Sequence, residues 1–215
     1  MMKPSTLPFI ALVSVTLIQP ALAQQTDERA RDSFGLGLGY SLPTGEWTQH
    51  RYASGVNHFS PAFAMNADLE FNIGQRWGLA LVGGYNKLGT NDWVSYTKRQ
   101  NDPVEASASV LYGGATLRPT IMKLSNHALR LEFGACMVFA SGTETYGGMS
   151  YDYDFLRTWR FGLILGLEYS CMVSDAIALT LQGRSIFAIK GIEYADGLSP
   201  SMIIVPITGG LRMYY

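Results

Sequence analysis

Large apolar residues alternate with small or polar residues along most of this chain. In the stretch SFGLGLGYSL, residues 33–42, every second position is Phe, Leu or Tyr, and the positions between them are Gly or Ser. Successive side chains of a β-strand point to opposite faces of the sheet, so this period of two predicts a strand with one apolar and one nearly bare face. The same alternation predicts eight strands in all, at residues 33–42, 60–73, 77–87, 106–121, 128–140, 156–173, 176–190 and 201–215.

The fourth of these segments, ASASVLYGGATLRPTI, alternates least regularly. A β-bulge places one extra residue in a strand and so breaks the period of two. We therefore expect a bulge near Gly113 and Gly114.

The connections between the predicted strands alternate between short and long. Three short links have the sequences GQR, MKLSNHA and VSD, and the long ones span about residues 43–59, 88–105, 141–155 and 191–200. Outer-membrane β-barrels have tight turns on the periplasmic rim and long loops on the extracellular rim. A soluble meander has no reason to keep its long loops at one end. The connections therefore favour an all-β fold, an eight-stranded antiparallel up-and-down transmembrane β-barrel.

The volume of such a barrel decides which face meets the interior. An eight-stranded barrel is just wide enough inside for side chains or one small ligand. Bulky apolar side chains from nearly every strand would overfill that space, and an outer surface of Gly, Ser and Ala would suit water poorly. The reverse arrangement places the apolar residues against hydrocarbon, with strands close to the 9–11 residues that a bilayer requires. Closure also pairs every strand edge, which the membrane interior demands.

The N-terminal residues have the pattern of an export signal. Lys3 precedes the apolar run LPFIALVSVTLI, and an Ala-x-Ala cleavage pattern follows at 21–23. We expect residues 1–23 to be a signal peptide for Sec-type export, 24–32 a short polar periplasmic leader, and 33–215 the barrel domain. Removal of Lys3 changes the formal net charge from −1 to −2, which gives no bias toward nucleic acid or another polyanion.

Aromatic residues cluster near both ends of the predicted strands, as in the interfacial girdles of membrane barrels. The expected girdle at the short turns comprises Phe34, Phe71, Trp77, Tyr169 and Tyr215; the girdle at the long loops comprises Tyr40, Tyr85, Phe139, Trp159 and Phe187.

The last segment, ITGGLRMYY, ends on Tyr215 in phase with the apolar positions before it. This ending resembles the C-terminal signal that the barrel-assembly machinery recognises, and YSLPTGEW (40–47) is similar to first-loop sequences of small barrels. Over residues 33–215 the chain resembles the OmpA/OmpX-like family of eight-stranded outer-membrane β-barrels. The resemblance implies a monomer in the outer membrane of a Gram-negative bacterium. Its partners there would be membrane lipid, lipopolysaccharide and, through Tyr215, the assembly machinery.

Charged residues occur on the predicted inward face near the short turns. They are Asp68, Glu70, Glu132 and Glu168, with Arg118, Arg130, Arg184 and Arg212 carrying the opposite sign. Such residues form either a selectivity ring in a pore or an interlocked ion-pair plug. The signs nearly balance, the barrel is narrow, and buried charges persist only when they are paired, so the sequence favours the plug. A porin for large solutes would need about 16–18 strands.

Motifs for catalysis are scarce. The sequence has no GxSxG, HExxH or CxxC motif, and we predict no catalytic residue, no metal site and no cofactor. Asp152 and Asp154 lack the Gly and Glu of a calcium loop, which favours a plain cluster of loop carboxylates. His50 and His127 fall in a loop and a turn.

One constellation resembles the lipid A deacylase barrels, which are also eight-stranded outer-membrane proteins. His58, Ser60 and Glu70 share one strand parity. Against the resemblance, Pro61 stands where the deacylase pattern has Asn, Glu70 lies ten residues beyond Ser60, and Glu70 is expected to face the lumen. These departures make a deacylase the minor alternative.

The two cysteines, Cys136 and Cys171, fall on consecutive predicted strands, on opposite faces and toward opposite ends. A disulfide requires Cα atoms within about 7 Å of each other. We therefore predict two free thiols, although export would place the chain in an oxidising compartment.

The long connections carry aromatic residues among Gly, Ser, Thr and Asn, a composition suited to binding proteins or glycans and also to packing over the barrel mouth. These residues are Trp47, Tyr52, Phe59, Trp93, Tyr96, Tyr146, Tyr151, Tyr153 and Tyr194. The sequence supports a structural or adhesion-like surface-interaction role, with an extracellular protein or glycan as partner. A lipid-modifying enzyme of the lipid A deacylase kind and a small-solute channel are the alternatives.

Overall fold

The structure, a computed structural model, describes residues 31–44, 49–50, 53–57, 59–74, 76–90, 105–146, 149–152, 159–188 and 202–215. Eight long strands account for most of them: β1 (Ser33–Thr44), β2 (Ala62–Gly74), β3 (Trp77–Thr90), β4 (Glu105–Leu124), β5 (His127–Tyr146), β6 (Trp159–Ser174), β7 (Ile177–Ala188) and β8 (Met202–Tyr214). Four short strand segments lie between them, at Gln49–His50, Ala53–Asn57, Phe59–Ser60 and Met149–Asp152. None of the described residues forms a helix long and apolar enough to cross a membrane.

The sheet closes on itself. Each long strand pairs antiparallel with the long strand that follows it, and β8 pairs with β1. The hydrogen-bonded row through Gly37 reaches β6 at Arg160 in one direction around the barrel and at Ser170 in the other, a stagger of ten residues. Barrels of this kind have strands tilted by about 35–45° from the axis. The predicted eight-stranded antiparallel barrel is confirmed.

The two ends of the barrel differ in their connections. Turns of two residues join β2 to β3, β4 to β5, and β6 to β7. We call the end that carries these turns the turn side and the opposite end the loop side. The alternation of short and long connections is as predicted.

Exposure follows the predicted faces of the strands. Leu38 and Leu165, on the outward face, are 63 % and 53 % exposed, whereas the inward Arg118, Arg184 and Arg212 are each 1 % exposed. Apolar side chains on the outside and charged side chains on the inside suit a bilayer and would not suit water.

The predicted bulge at Gly113 and Gly114 is wrong. Both residues pair in continuous register with β3 and β5, and β4 instead shifts register near its turn, between Thr120 and Met122. The alternation is hard to read in this segment because the outward residues Gly113 and Ala115 are small, so the two faces look alike in the sequence.

The strands β4 and β5 extend farther toward the loop side than their neighbours. Pairing of β5 with β6 ends at Phe139, but β5 continues to pair with β4 as far as Thr145. Residues Met149–Asp152 add a short strand beside this part of β5. We call the extension (residues 105–107 and 140–146) the β4–β5 ribbon. It carries β5 six residues beyond its predicted end at 140.

Candidate functional site

Eight charged side chains fill the turn-side half of the barrel interior. They project inward from six strands, β2 and β4 to β8, and we call them the charge layer. Its members are Asp68, Glu70, Arg118, Arg130, Glu132, Glu168, Arg184 and Arg212.

Arg118 lies at the centre of the charge layer. Its Nη1 atom is 2.8 Å from Asp68 Oδ1 and 3.1 Å from Glu70 Oε2, and its Nη2 atom is 2.9 Å from Glu132 Oε1. The side chain is 0 % exposed. A guanidinium so deeply buried persists only when carboxylates compensate its charge. Four carboxylates surround this one, the fourth being that of Glu168, 4.0 Å from Arg118 Nη1.

The other arginines complete the network. Arg184 Nε lies 2.7 Å from Glu132 Oε2, and Arg212 Nη2 lies 2.6 Å from Glu168 Oε2. Arg130, whose side chain is 12 % exposed, lies 3.3 Å from Glu168 Oε1. Since the layer holds four guanidinium groups and four carboxylates, it carries no net charge. The interlocked ion pairs that the sequence predicted are confirmed.

Neutral side chains satisfy the remaining polar atoms around Glu132. The Asn66 amide donates to Gln182 Oε1 at 2.8 Å and to Thr208 Oγ1 at 3.0 Å. Gln182 in turn donates to Glu132 Oε2 at 3.1 Å, and Thr116 donates to Glu132 Oε1 at 2.9 Å. Buried polar groups cost free energy unless they are hydrogen-bonded, so these residues stabilise the charge layer together with the ion pairs.

Inward glycines provide the space for the charged side chains. A Cβ atom at Gly35 would lie 3.0 Å from Asp68 Oδ2, and a Cβ atom at Gly166 would lie 2.9 Å from Glu132 Oε2. Both distances are shorter than ordinary van der Waals contact. The nearly bare inward face of β1 therefore leaves room for the carboxylate of Asp68 on the adjacent strand.

The loop-side half of the interior is mostly apolar, with buried Arg160, Asn86 and Ser41 among the apolar side chains, and the alternation of the sequence did not predict this. Its buried side chains form one cluster that includes Leu88, Val110, Val138, Ala140, Ile164, Ile186, Met202 and Ile204, and we call it the apolar layer. A signal was present in MIIVPI (202–207), a run that is apolar at both strand parities. Alternation cannot assign the faces of such a run.

Tyr112 connects the two layers. Its ring belongs to the apolar layer, and its hydroxyl oxygen lies 3.2 Å from Arg184 Nη1 in the charge layer. Together the layers fill the described interior with side chains, as the diameter of an eight-stranded barrel allows.

The outer face carries both predicted aromatic girdles. On the loop side the rings of Phe139 and Trp159 lie 5.3 Å apart. On the turn side Tyr169 stacks on His127, with 2.6 Å between the Tyr169 hydroxyl and His127 Nδ1. These amphipathic rings sit where an interfacial belt requires them.

Beyond the loop-side girdle the outward face changes from apolar to hydroxyl-bearing residues. Tyr85 Oη lies 2.9 Å from Ser109 Oγ, and farther out Ser107 Oγ lies 3.2 Å from Thr143 Oγ1 on the β4–β5 ribbon. The change marks the boundary between hydrocarbon and the polar interface. The β4–β5 ribbon therefore lies outside the hydrocarbon.

The structure does not bring the deacylase-like constellation together. His58 and Asp154 lie outside the described residues. Ser60 pairs with Gly89 at the loop side, whereas Glu70 is held in the charge layer by Arg118 and Arg212. Glu70 faces the lumen as predicted. Within the part of the chain that the structure describes, no group of three or more His, Cys, Asp or Glu side chains is placed to hold a metal ion.

The cysteines lie as the strand phasing predicts. Cys136 is buried in the apolar layer, 3 % exposed, opposite Gly162 on β6. Cys171 faces outward near the turn side, opposite His127 on β5. Both thiols are free, so that prediction is confirmed.

A closed antiparallel barrel with an apolar outer face, aromatic girdles and paired charges inside belongs to the class of transmembrane β-barrels found in outer membranes. Among solved structures, the chain is similar to a major outer membrane protein from Thermus thermophilus. The TM-score is 0.53 at 12 % identity, over 86 % of this chain and 98 % of that chain. The likeness establishes the fold, and the predicted resemblance to small outer-membrane barrels is confirmed.

Two further similar structures are those of Neisserial surface protein A and of Ail, the attachment invasion locus protein of Yersinia pestis. The first has 11 % identity and a TM-score of 0.48, over 86 % of this chain and 97 % of that chain. The second has 9 % identity and a TM-score of 0.46, over 85 % of this chain and 99 % of that chain. No protein-family model and no curated protein matches the chain.

Proposed function

We propose that this chain is a closed outer-membrane barrel whose filled interior makes it a rigid support for surface-interacting residues on the loop side. The observation that carries the proposal is the filling of both halves of the interior. Four guanidinium groups and four carboxylates occupy one half, and mostly apolar side chains, with Arg160 among them, occupy the other. An interior of this kind leaves the function to surfaces outside the hydrocarbon.

The β4–β5 ribbon is the described surface best placed for such contacts. It projects beyond the aromatic girdle as hydrogen-bonded strands and presents hydroxyl groups outward. The connections on the same side are rich in Tyr and Trp among small polar residues, a composition found at protein-binding surfaces. An extracellular protein or glycan is the partner that this chemistry fits.

Two measurements test the proposal. The first is conductance of the purified barrel in planar bilayers, where we expect no steady current; a steady channel, or swelling of liposomes in small solutes, would contradict the filled interior. The second is binding of the reconstituted barrel to immobilised matrix proteins and glycans. We expect binding that is lost when residues 141–155 are replaced by a short Gly-Ser turn. Equal binding by the shortened barrel would remove this segment from the proposal.

A further inference from the structure

An apolar groove crosses the outward face of the barrel. It has a volume of about 560 Å³ and runs over five neighbouring strands, from β8 across β1, β2 and β3 to β4. Three small outward residues, Ala67, Gly83 and Gly209, form its floor. Larger side chains form its walls: Phe34, Leu36, Leu38, Met65, Tyr85, Leu111, Leu211 and Met213.

The groove has a defined slope. It follows the hydrogen-bonded rows in which Leu36 pairs with Ala67 and Ala67 with Gly83. Because of the ten-residue stagger of the barrel, these rows climb from the turn side at β8 toward the loop side at β4. The groove therefore begins near the turn-side girdle, at Phe34 and Met213, and ends near the loop-side girdle.

The length and cross-section of the groove limit which molecules can occupy it. Five strands span four interstrand spacings, or ~19 Å. Division of the 560 Å³ by this length gives a cross-section of about 30 Å². An α-helix, about 10–12 Å across, is far too wide for it. A single extended hydrocarbon chain has suitable width and length.

Internal packing does not require the glycines in the floor. A Cβ atom at Gly83 would lie 3.6 Å from the nearest other heavy atom, Tyr112 O, and one at Gly209 would lie 3.8 Å from Thr180 O. These are ordinary contact distances, in contrast to the blocked inward glycines. A larger side chain would fit at either position, so the depth of the groove is not a by-product of the interior.

Polar and cationic residues lie just beyond the loop-side end of the groove, outside its lining. Tyr85, a wall residue, shares a hydrogen bond with Ser109, and Ser109 pairs across the strands with the exposed Lys87. Among outward strand positions whose side chains the structure describes, Lys87 is the only charged residue in the loop-side half. A single cation at the upper end of an apolar groove complements an anionic lipid, whose headgroup lies at the interface.

We propose that this groove binds one lipid of the outer leaflet whose phosphate-bearing headgroup has a net negative charge. Its phosphate would lie against Lys87 and the hydroxyl groups of Tyr85 and Ser109, and one acyl chain would descend over Gly83 and Ala67. The inference rests on the proposed membrane placement with the loop side outward. It gives the barrel a specific lipid partner in addition to the lipid that covers the rest of its surface.

Native mass spectrometry of the folded barrel released from micelles tests the site. The probes are dimyristoyl phosphatidylglycerol and dimyristoyl phosphatidylcholine, which have the same chains. We expect one phosphatidylglycerol to be retained at a concentration roughly ten-fold below that needed for phosphatidylcholine. Gly83→Leu fills the floor and should abolish retention of both lipids. Lys87→Gln should lower the retention of phosphatidylglycerol to that of phosphatidylcholine.

Matched controls separate the groove from general effects. Gly183→Leu adds the same side chain at an outward glycine on β7, where a Cβ atom would have no heavy atom within 4 Å beyond the adjoining residues, and this variant should bind lipid as wild type does. Lys123→Gln removes a cation at the turn side and should change nothing. Gly209→Leu repeats the filling test if Gly83→Leu does not fold. Excess inorganic phosphate should not displace the lipid, because the chain supplies most of the binding.

The outcomes distinguish this inference from the membrane placement. Each sample is first checked for slower migration of the boiled than of the unboiled barrel on a gel and for insertion into vesicles. Failure of wild type at that step would contradict the placement itself. If a folded Gly83→Leu barrel retains lipid like Gly183→Leu, or if wild type shows no preference between the headgroups, the groove is not a lipid site.

Discussion

The carboxylate of Glu132 shows how single residues determine the interior of this barrel. It accepts hydrogen bonds from four side chains: Thr116, Arg118, Gln182 and Arg184. The Glu132 carboxylate also fits only because Gly166 has no side chain. Charge, hydrogen bonding and volume are therefore coupled at this one position.

Replacement of Glu132 by Gln keeps the shape and removes the charge. The variant leaves Arg118 and Arg184 with one buried carboxylate fewer, and breaking a buried pair in this way costs about 3–5 kcal/mol. We expect a loss of that size in the free energy of unfolding, measured by urea titration in lipid vesicles.

The double variant Glu132→Gln, Arg184→Gln provides the check on that prediction. It restores neutrality, so its loss should be smaller than the sum of the two single losses. Arg130→Gln, at a partly exposed site, should cost less than Glu132→Gln. Strict additivity, or a harmless Glu132→Gln, would contradict the account of the charge layer.

Two neighbouring positions on β1 report the two faces. Leu38→Arg places a charge in hydrocarbon and should cost about 2–4 kcal/mol near the midplane. Gly37→Arg instead enters the space held by Asn66, which is hydrogen-bonded to Gln182 and Thr208. We expect Leu38→Arg to impair folding in lipid much more than in short-chain detergent, and Gly37→Arg to impair it similarly in both. A harmless Leu38→Arg in lipid would mean that the faces are inverted.

At the scale of the strands, alternation was informative wherever one face was large and the other small or charged. β1 and the turn-side halves of β2, β5 and β6 meet that condition, so their faces and the charge layer were predictable. Near the loop side both faces become apolar, as at 202–207, and periodicity carries no information there. Gly113 and Ala115 caused the opposite difficulty, because an outward face made of small residues resembles an irregularity.

The outward glycines and alanines could not be interpreted from the sequence. In the sequence, Gly83 and Gly209 look the same as the inward glycines. They differ from them only in the face of the sheet on which they lie. The placement of Gly83 beside Ala67, and of Gly209 beside Leu38, depends on the strand register, which the sequence does not reveal. The groove is therefore a property of the assembled sheet.

The native cysteines test the phasing of β5 and β6. In the folded barrel a small membrane-permeant maleimide should modify Cys171, which faces outward, and leave Cys136 unmodified in the apolar layer. After unfolding without reductant both thiols should react. Mass spectrometry of the intact protein counts the modifications. Modification of Cys136 in the folded barrel would show that the loop-side interior is open, and the absence of free thiols after unfolding would contradict the register.

At the scale of the whole molecule, the fold reconciles a small diameter with a membrane surface. Eight strands enclose too little volume for the large apolar side chains of this chain, so those side chains lie outside. Closure of the sheet gives the backbone groups at the edges of the long strands hydrogen-bond partners. The charges of the charge layer compensate one another. The length of the β4–β5 ribbon was the main feature of the overall shape that connection lengths did not predict.

The apolar face of this sheet meets hydrocarbon, a claim on which the whole placement of the barrel depends. The most direct measurement is a nitroxide scan of outward positions along β3, namely Trp77, Leu79, Leu81, Tyr85 and Lys87, in vesicles and in a background without cysteine. Electron paramagnetic resonance then compares collision with oxygen, which concentrates in lipid, and with a water-soluble nickel chelate. We predict high oxygen access at Leu79 and Leu81, with nickel access rising only toward Trp77 and Lys87. High nickel access at every position would contradict the claim and indicate a water-exposed barrel.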